Sequence, residues 1–595
     1  MPPFEAPIRD IGFAIFDVIG TERLAALPAF QEMLAPDLGK AVLEEAGKFA
    51  AGVLAPLNRT GDREGSVFEN GVVRTPKGFK KAYAAFVAGG WNAVPFEPAI
   101  GGQGFPWLLA TPIAELWASA NLAFSLCPML TQGAIEAIGR HGSAEQKRAY
   151  LPKLVSGEWT GTMNLTEPQA GSDLARTKAR AVRKGAHYRL TGQKIFITYG
   201  EHDLAENIVH MVLARTPDAP EGTKGISLFI VPKFLLKADG SLGERNDLRC
   251  VSLEHKLGIH ASPTAVLSYG DEGGAVGYLV GKENEGLVYM FTMMNQARLA
   301  VGLEGVALAE RATQQAIAYA KERVQGRAAG GGGDVPIVRH ADVRRMLMTM
   351  KAYTEATRYL AYLAAEAQDL ARHHVDADVR KASQARVDLL TPVVKAWCSD
   401  VGFEVASLGV QVHGGVGYIE ETGAAQHLRD ARIAMIYEGT NGIQAMDLVQ
   451  RKLRHDRGKA ARAFLADMAS LLPALRRPDD AFGPLHRGLD AGLKALGEAT
   501  DFLLEAGRDD PHAADAGAAP YLRLFGTVAG GYLMARAALA AARRQAEDGA
   551  DKVYFETHLA LARFYAERIL PEALALAAAV RSGGASVMAI PEDRL

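Results

Sequence analysis

Hydrophobic and polar positions divide the chain into helical and β-rich stretches. From about Asp37 to Leu154 the apolar residues recur at helical spacing, as in LGKAVLEEAGKFAAGVLAPL and SAEQKRAYLPKLV. Between about Trp159 and Val280 the pattern changes to short alternating or β-branched runs, such as KIFITYG, NIVHMVLAR and GISLFIVP, separated by Gly, Pro and Asn. This pattern predicts a helical segment followed by a β-rich segment.

Helical spacing returns after NEGLVYMFTMMNQAR and continues through RLAVGLEGVALAERATQQAIAYAKER and TPVVKAWCSDVGFEVASLGVQV, which favours a bundle of long antiparallel helices. The chain then remains rich in Ala and Leu, with breaks at RRPDDAFGP and AGRDDPHAADAGAAP, which favours a further helical domain. The run AAGGGGD, residues 328–334, lacks the GK[ST] of a phosphate-binding loop. We therefore expect it to be a flexible loop between helices.

The order of helical and β-rich segments predicts an α+β protein. We expect several domains, because 595 residues exceed the ~250–300 at which a single core stops growing. The predicted divisions are an N-terminal extension (1–36), an N-terminal helical domain (37–157), a middle β domain (158–282), a helical bundle (283–456) and a C-terminal helical domain (457–595).

Composition and charge exclude several classes of partner. The 66 basic and 68 acidic residues, net charge -2, provide no field that would gather nucleic acid or anionic lipid. The three cysteines are scattered without CxxC spacing, so we predict no metal site and a reducing, cytoplasmic location. The N-terminus lacks the basic region of a signal peptide, and no run of ~18 uncharged apolar residues predicts a transmembrane segment.

One acidic residue raises a question about function. In MIYEGTNGIQ, Glu438 lies where an apolar stretch ends and a helical pattern begins. Thr440 or Asn441 can cap that helix, and a nearby acid suits the positive end of the helix dipole. A structural role near the cap is therefore one interpretation of Glu438, and a catalytic role is the other.

Several sequence motifs, which occur in a defined order along the chain, favour the catalytic interpretation of Glu438. MNLTEPQAGSDLARTKARAV, HYRLTGQKIFITYGEHD, ARLAVGLEGVALAERATQQAIAYAKERVQG, QVHGGVGYIEE and LRDARIAMIYEGTNGIQ resemble the acyl-CoA dehydrogenase flavoproteins over about residues 75–455. Other phrases, including SLGERNDLRCVSLEHKLGIHASPTA, resemble a longer branch with extra terminal regions, which includes 3-methylthiopropionyl-CoA dehydrogenase and bacterial fatty acyl-CoA dehydrogenases. The resemblance implies that family's fold, with an additional C-terminal helical domain, together with FAD, a homo-oligomer (most simply a dimer) and an acyl-CoA substrate.

The resemblance assigns flavin contacts to the β-rich segment. The cofactor residues that it implies there are Met163, Leu165, Thr166, Gly171, Ser172, Phe196 and Thr198. Strand alternation would send Phe196 and Thr198 to one face, where an aromatic wall and a hydroxyl could meet the flavin ring together. The alternatives are an ordinary Gly/Ser turn for MNLTEPQAGSD and a core position for Phe196, where many family members have Trp.

Further cofactor contacts are implied for the helical bundle. Arg323 matches an arginine that reaches the FAD diphosphate of a neighbouring subunit, although the aromatic residue that follows it in the family is absent here. Gln411, Gly414 and Gly415 match positions approached by the same dinucleotide, and Thr440 is also assigned to the cofactor. The structural alternatives are a dipole partner at a helix C-terminus for Arg323 and a glycine-rich helix end for HGGVG.

The implied substrate contacts are Ser172, Asn295, Arg298, Tyr437 and Gly439. Arg298 could equally be an interhelical ion-pair residue. Glu438 matches the family's base, which implies that it removes the α-proton of the thioester while the β-hydrogen leaves as hydride to flavin N5. In the family the thioester carbonyl accepts hydrogen bonds from a flavin ribityl hydroxyl and from the backbone N–H of the base.

The expected function is FAD-dependent oxidation of a saturated acyl-CoA to the trans-2-enoyl-CoA, as in fatty-acid β-oxidation, with electron-transferring flavoprotein as the electron acceptor. Four alternatives remain: a 3-methylthiopropionyl-CoA dehydrogenase, an acyl-CoA oxidase, a relative that binds nucleic acid, and a non-catalytic acyl-CoA-binding protein. The acyl chain length depends on a pocket among helices, which the sequence does not show.

Overall fold

The computed structural model describes residues 3–477, 482–506, 510 and 512–595. Within these residues the helices are α1 (Ile8–Gly12), α2 (Glu22–Ala25), α3 (Pro36–Phe49), α4 (Ala55–Glu64), α5 (Phe79–Ala88), α6 (Trp107–His141), α7 (Ala144–Ser156), α8 (Gly286–Glu322), α9 (Ala341–His373), α10 (Ala377–His413), α11 (Ala424–Ala431), α12 (Asn441–Met446), α13 (Lys459–Ala469), α14 (Leu472–Leu475), α15 (Gly483–Glu505), α16 (Ala513–Gln545), α17 (Lys552–Arg568) and α18 (Glu572–Arg581).

The strands are β1 (Val67–Glu69), β2 (Val72–Arg74), β3 (Trp159–Asn164), β4 (Arg180–Lys184), β5 (His187–Thr198), β6 (Asn207–Ala214), β7 (Ser227–Pro232), β8 (Phe234–Leu236), β9 (Leu242–Arg245), β10 (Leu248–Leu253), β11 (Thr264–Tyr269), β12 (Ala275–Leu279), β13 (Val324–Arg327) and β14 (Asp334–Pro336). The predicted order of helical, β-rich and helical segments, followed by additional C-terminal helices, is confirmed.

The chain forms two compact units. One, which we call the helical unit, comprises Met1–Gly47, Pro106–Ser119 and Val301–Leu595. The other, the β-rich unit, comprises Lys48–Phe105 and Ala120–Ala300.

The β-rich unit is built on an eight-stranded sheet. Its strand order is β10-β11-β5-β12-β7-β6-β3, and β4 also pairs with β5. β3 and β6 pair in parallel, whereas the other neighbours are antiparallel. β6 and β7 are buried along their whole length, as expected for β-branched, apolar runs inside a sheet. The sheet therefore supplies a rigid platform for the loops at its edges.

The helical unit depends on close approach of long helices. α9 and α10 are joined by the short connection at residues 374–376, which makes them antiparallel neighbours. Gly302 and Gly305 of α8 lie against the backbone of α10, because a Cβ on them would meet Val394 O at 2.5 Å and Cys398 O at 2.1 Å. Any side chain at these two positions would push α8 away from α10.

The C-terminal helices pack on the same bundle. Gly526 and Gly530 of α16 lie against the fully buried indole of Trp397 on α10. A Cβ on Gly526 would lie 2.2 Å from this indole, and a Cβ on Gly530 would lie 2.8 Å from it. Arg523 of α16 also donates to Glu404 of α10 and, at 2.7 Å, to Glu572 of α18. The last segment of the chain is therefore part of the core of the helical unit.

The N-terminal segment is held in the same unit by buried charges. The side chains of Asp10, Glu355 and His558 form a cluster. One carboxylate oxygen from each acid and one imidazole nitrogen of the histidine lie within 4.8 Å of one another. The Lys351 ammonium is 3.3 Å from Asp10 and 3.2 Å from Glu355, so the cluster carries its own compensating cation. Burial alone would raise the pKa of Asp10, but the surrounding cations lower it to about 2.

Some local predictions need correction. The AAGGGGD run was expected to join two helices directly, but it closes a hairpin of β13 and β14, since the flanking residues pair as strands after α8 ends. The segment after AGRDDPH is helical from Ala513, with Pro520 inside α16. Parts of RRPDDAFGP and AGRDDPHAADAGAAP lie outside the described residues.

Two helices of the described residues are long and apolar enough to cross a membrane by length and composition alone. They are Trp107–His141 and Ala513–Gln545, and 83% and 89% of their most apolar windows are buried within the protein. Such burial is typical of core helices, so this similarity is weak evidence for a membrane span.

Candidate functional site

In the β-rich unit, the stretch MNLTEPQAGSD leaves β3 and turns around a buried ion pair. Lys194 of β5 is fully buried and donates to Glu167 Oε1 at 2.7 Å and to the carbonyl of Leu165 at 2.9 Å. Glu167 also accepts the backbone N–H groups of Lys178 and Ala179. Burial lowers the pKa of Lys194 to about 8, against the raising effect of Glu167.

Two further hydrogen bonds bring the sequence motifs MNLTE and KIFIT together. The Ile195 N–H donates to Thr166 O at 3.0 Å, and the Thr162 hydroxyl donates to Thr198 O at 2.7 Å. MNLTE and KIFIT are therefore neighbours in the fold, which places Thr166 beside the strand that carries Phe196 and Thr198. The sequence analysis did not predict roles for Glu167 and Lys194, although Glu167 lies within MNLTEPQAGSD and Lys194 within GQKIFITYG.

Phe196 does not follow regular strand alternation. Its φ of +61° is left-handed, and the pairing of β5 with β11 shifts register between Lys194 and Ile197. This β-bulge turns the side chain outward, so Phe196 is 59% exposed. The interpretation of Phe196 as a core residue is therefore wrong. Regular strand alternation does not set the direction of its side chain relative to Thr198, because the bulge lies between Lys194 and Ile197 and presents the aromatic ring at the surface.

The other predicted residues of this phrase range from core to surface. Met163 is buried on β3, Leu165 and Thr166 are half-buried, and Gly171 and Ser172 are exposed. A Cβ on Gly171 would meet no atom within 4 Å. An exposed aromatic ring beside hydroxyls and an open glycine backbone fits a flavin, which needs a stacking surface and hydrogen-bond donors.

In the helical unit, Glu438 occupies a strained position. Its φ is +56° and that of Gly439 is +82°, so two consecutive residues are left-handed. A left-handed glutamate costs backbone energy and persists only where its surroundings fix it, a feature that is common at active sites. The helix-capping role belongs to Thr440, whose hydroxyl accepts the Ile443 N–H at 3.3 Å at the start of α12.

Two contacts flank Glu438. On the preceding side, the Tyr437 hydroxyl donates to Glu304 Oε2 on α8. On the following side, Gln444 Nε2 of α12 donates to the carbonyls of Glu438 and Gly439 at 3.3 Å and 3.4 Å. The base candidate is thus held between two helices.

α10 fixes the other end of this loop. Asn441, the first residue of α12, accepts a hydrogen bond from the buried Lys395 at 2.8 Å and donates to Asp400 Oδ1 at 2.6 Å. Burial raises the pKa of Asp400, whereas its hydrogen bond from Asn441 lowers it. Glu304, Lys395 and Asp400 were not found from the sequence, because charged residues on a helical pattern usually predict a solvated face.

The substrate-channel candidates on α8 occupy the β-rich unit. Arg298 is buried and donates to Asn295 Oδ1 at 3.4 Å, and its guanidinium lies 5.6 Å from the ring centre of Phe291. The structure thus places the two predicted residues, Asn295 and Arg298, side by side on one helix face, as their spacing of three requires.

Arg323 and the HGGVG phrase lie at one end of the helical unit. Arg323 follows the last residue of α8, is exposed, and donates to Gln325 Oε1 at 3.2 Å. Gln411, Gly414 and Gly415 are exposed at the end of α10, and a Cβ on either glycine would meet no atom within 4 Å. An exposed guanidinium and open glycine backbone suit an anionic phosphate ligand.

Four family models match successive parts of the chain. They are acyl-CoA dehydrogenase N-terminal domain (residues 37–158), middle domain (162–271) and C-terminal domain (284–453), followed by acetyl-CoA dehydrogenase C-terminal like (459–591). The last of these models corresponds to the additional helices that pack on Trp397.

Two relatives match this chain over nearly its whole length. A 3-methylmercaptopropionyl-CoA dehydrogenase of Ruegeria pomeroyi is 47% identical over 98% of this chain and 99% of its own. A butyryl-CoA dehydrogenase of Syntrophomonas wolfei is 34% identical over 98% of both chains. A crystal structure of an acyl-CoA dehydrogenase complexed with FAD, from Bacillus anthracis, has a TM-score of 0.74 at 21% identity and covers 91% of this chain and 88% of its own, which shows the fold.

Proposed function

Since the chain belongs to the acyl-CoA dehydrogenase family, we propose that it oxidises a saturated acyl-CoA thioester to its 2-enoyl-CoA with FAD as the cofactor. The observation that carries the proposal is Glu438, whose left-handed backbone is fixed through Tyr437 on one side and Gln444 on the other. A carboxylate on a backbone held in this way suits proton abstraction, because a general base must be positioned before its basicity matters.

Each residue group has a defined task in this reaction. The Glu438 carboxylate takes the α-proton, and the electron pair of that C–H bond forms the new C=C bond. Bound FAD supplies the acceptor for the hydride that leaves the β-carbon. Phe196 and the hydroxyls of Thr166 and Thr198 would hold the ring system, and Arg323 would hold the diphosphate. We also propose a homodimer, because Arg323 and Gln411 match residues that serve a neighbouring subunit.

Substitution of Glu438 tests the base. Glu438→Gln keeps size and polarity but removes the proton acceptor. We expect the variant to fold, retain FAD and bind acyl-CoA, while flavin reduction by substrate slows by at least ~100-fold, the scale for a positioned base. Rapid-mixing absorbance with protein in excess isolates this step from product release. Glu421→Gln, at an exposed carboxylate of the same unit, is the matched control. Near-normal flavin bleaching in Glu438→Gln would refute the assignment.

The acyl group is the finer question, and two candidates have support. The relative at 47% identity favours 3-methylmercaptopropionyl-CoA, and the relative at 34% identity favours a short straight chain. Pentanoyl-CoA is the matched comparison, since it replaces the thioether sulfur by a CH₂ group at the same chain length. A kcat/KM at least ~10-fold higher for the methylthio compound, about 1.4 kcal/mol, would favour the first candidate. A kcat/KM for butyryl-CoA that equals or exceeds the value for the methylthio compound would favour the second.

The electron acceptor separates a dehydrogenase from an oxidase. We propose electron-transferring flavoprotein as the acceptor. Turnover should depend on that protein or on an artificial dye and should produce little hydrogen peroxide in air. Rapid reoxidation of the reduced enzyme by oxygen alone would instead favour an acyl-CoA oxidase.

A further inference from the structure

A second carboxyl group lies beside the base candidate and has no role in the reaction described above. Glu304 of α8 is 2% exposed and accepts the Tyr437 hydroxyl on Oε2. Its other oxygen, Oε1, is buried and has no hydrogen-bond partner among the described residues. Buried carboxylates usually have every oxygen satisfied, so this half-satisfied group needs an explanation.

We propose that Glu304 is a positioning residue for Glu438, which anchors the adjacent Tyr437 as an uncharged acid and so leaves the negative charge of this region on Glu438. This inference rests on the proposed function, because it takes Glu438 as the base. Glu304 lies within the motif ARLAVGLEGVALAER, where the resemblance assigned no role to it.

Tyr437 and Gln444 hold the strained turn at Glu438 from its two sides. Glu438 has a φ of +56°, and a strained residue needs contacts on both sides to keep it there. Gln444 donates to the carbonyls of Glu438 and Gly439, and on the preceding side the Tyr437 hydroxyl donates to Glu304. Loss of the acceptor at Glu304 would therefore release one side of the Glu438 turn.

Glu304 and Glu438 are neighbouring acids, so the charge of one affects the other. Burial is the largest influence on Glu304 and raises its pKa to about 8; the Tyr437 hydrogen bond and Lys395 of α10 lower it, and Glu438 raises it. Two neighbouring carboxyl groups lose their protons in two steps, and the more buried group keeps its proton longer. At pH 7 Glu304 therefore keeps its proton and adds no second negative charge beside the base candidate. An uncharged carboxyl also tolerates an unsatisfied oxygen better than a carboxylate does.

Two substitutions separate anchoring from charge. Glu304→Gln keeps an acceptor for Tyr437 but cannot ionise, whereas Glu304→Leu removes both properties at similar volume. With the FAD-loaded protein at pH 7, we expect flavin reduction to slow by ~10- to 100-fold in Glu304→Leu, the scale for a misplaced catalytic group. Glu304→Gln should restore most of that rate.

The pH profile provides a readout that a purely structural role would not change. In the wild type, the rate of flavin reduction should rise through a second ionisation near pH 8, because a charged Glu304 would favour proton transfer to Glu438. This ionisation should be absent in Glu304→Gln and present in the control Glu421→Gln.

Infrared difference spectra of the substrate-free protein between pH 6.5 and 9.5 test the proton without any turnover. Asp369, whose pKa is about 7, should lose its proton in both proteins, so the wild type should lose one more protonated-carboxyl band than Glu304→Gln. The inference would be overturned if Glu304→Gln lost as many protonated-carboxyl bands as the wild type and kept the upper ionisation, or if a folded Glu304→Leu reduced flavin at the wild-type rate. If Glu438→Gln instead reduced flavin at the normal rate, the proposed function would fail, while the infrared result would still report on Glu304.

Discussion

The ring of Tyr319 stacks on the ring of His413, with centroids 4.4 Å apart and planes inclined by 25°. Tyr319 lies in the last turn of α8, one turn before Arg323, and His413 is the final residue of α10, directly before Gly414. The stack therefore joins the ends of two long helices and brings Arg323 to the same end of the helical unit as the HGGVG phrase.

This arrangement predicts that Arg323 retains the cofactor. Arg323→Ala should lower the ratio of flavin to protein after extensive dialysis, because a bidentate contact to the diphosphate would be lost. Arg339→Ala removes an exposed arginine from the segment after the β13–β14 hairpin and serves as the control. The measurement is absorbance of the flavin against protein, paired with mass by sedimentation. Full flavin retention in an Arg323→Ala monomer would contradict the shared site.

Lys194 provides a test of the loop that carries MNLTEPQAGSD. Lys194→Met leaves the buried Glu167 carboxylate without its cation, which should cost about 3–5 kcal/mol of the free energy of unfolding. Lys184→Met, at the exposed end of β4, should cost less than about 0.5 kcal/mol. Urea denaturation of both variants checks the difference. Equal stabilities would show that the ion pair does not fix the loop.

Gly526 tests how the C-terminal helices dock. Gly526→Ala places a methyl group against the buried indole of Trp397, and overpacking of this kind should cost about 1–3 kcal/mol. Gly497→Ala is the matched control, since its Cβ meets no atom within 4 Å and alanine favours a helix by up to ~1 kcal/mol. Thermal unfolding should therefore shift in opposite directions for the two variants. A stabilised Gly526→Ala would refute the close packing of α16 on α10.

Asp369 predicts a pH dependence of stability. Its carboxyl accepts the N–H groups of Trp107 and Leu108, both at 2.9 Å, at the start of α6, yet burial raises its pKa to about 7. Because the folded-state pKa lies above the unfolded value, its stabilising contribution is complete below the ordinary pKa of 3.8 and is lost as the pH rises through about 7.

Asp369→Asn isolates this contribution. The amide can accept only one of the two N–H groups well, so the variant should lose about 1–3 kcal/mol at pH 5. The loss relative to wild type should shrink towards pH 8, because only the wild type titrates. Denaturant unfolding at a series of pH values measures it, and a difference that stays constant with pH would show that Asp369 does not titrate in this range.

Much of the fold follows from sequence patterns because helices and strands have different periods of side-chain direction. The 3.6-residue spacing around RLAVGLEGVALAERA and the β-branched runs NIVHMVLAR and GISLFIVP each fit only one type of element. The hairpin at residues 324–336 was missed because its strands, VQGR and DVP, are too short to carry a periodic apolar signal.

The candidate site divides in the same way. Glu438, Phe196, Arg323 and the glycines could be named from the order of phrases, since their local spacing is what the family shares. Their roles remain predictions for the experiments above. The bulge that exposes Phe196 could not be predicted, because register between β5 and β11 depends on residues about 70 positions apart in the chain.

By itself the sequence determined the types of element, their order and the residues that chemistry would need, because these depend on local spacing and side-chain type. Only the tertiary structure decided that Tyr437 meets Glu304, that Lys194 closes on Glu167 and that Trp397 enters the glycine face of α16. These contacts join distant parts of the chain. Their energies come from burial and desolvation, which exist only after the helices and strands have packed.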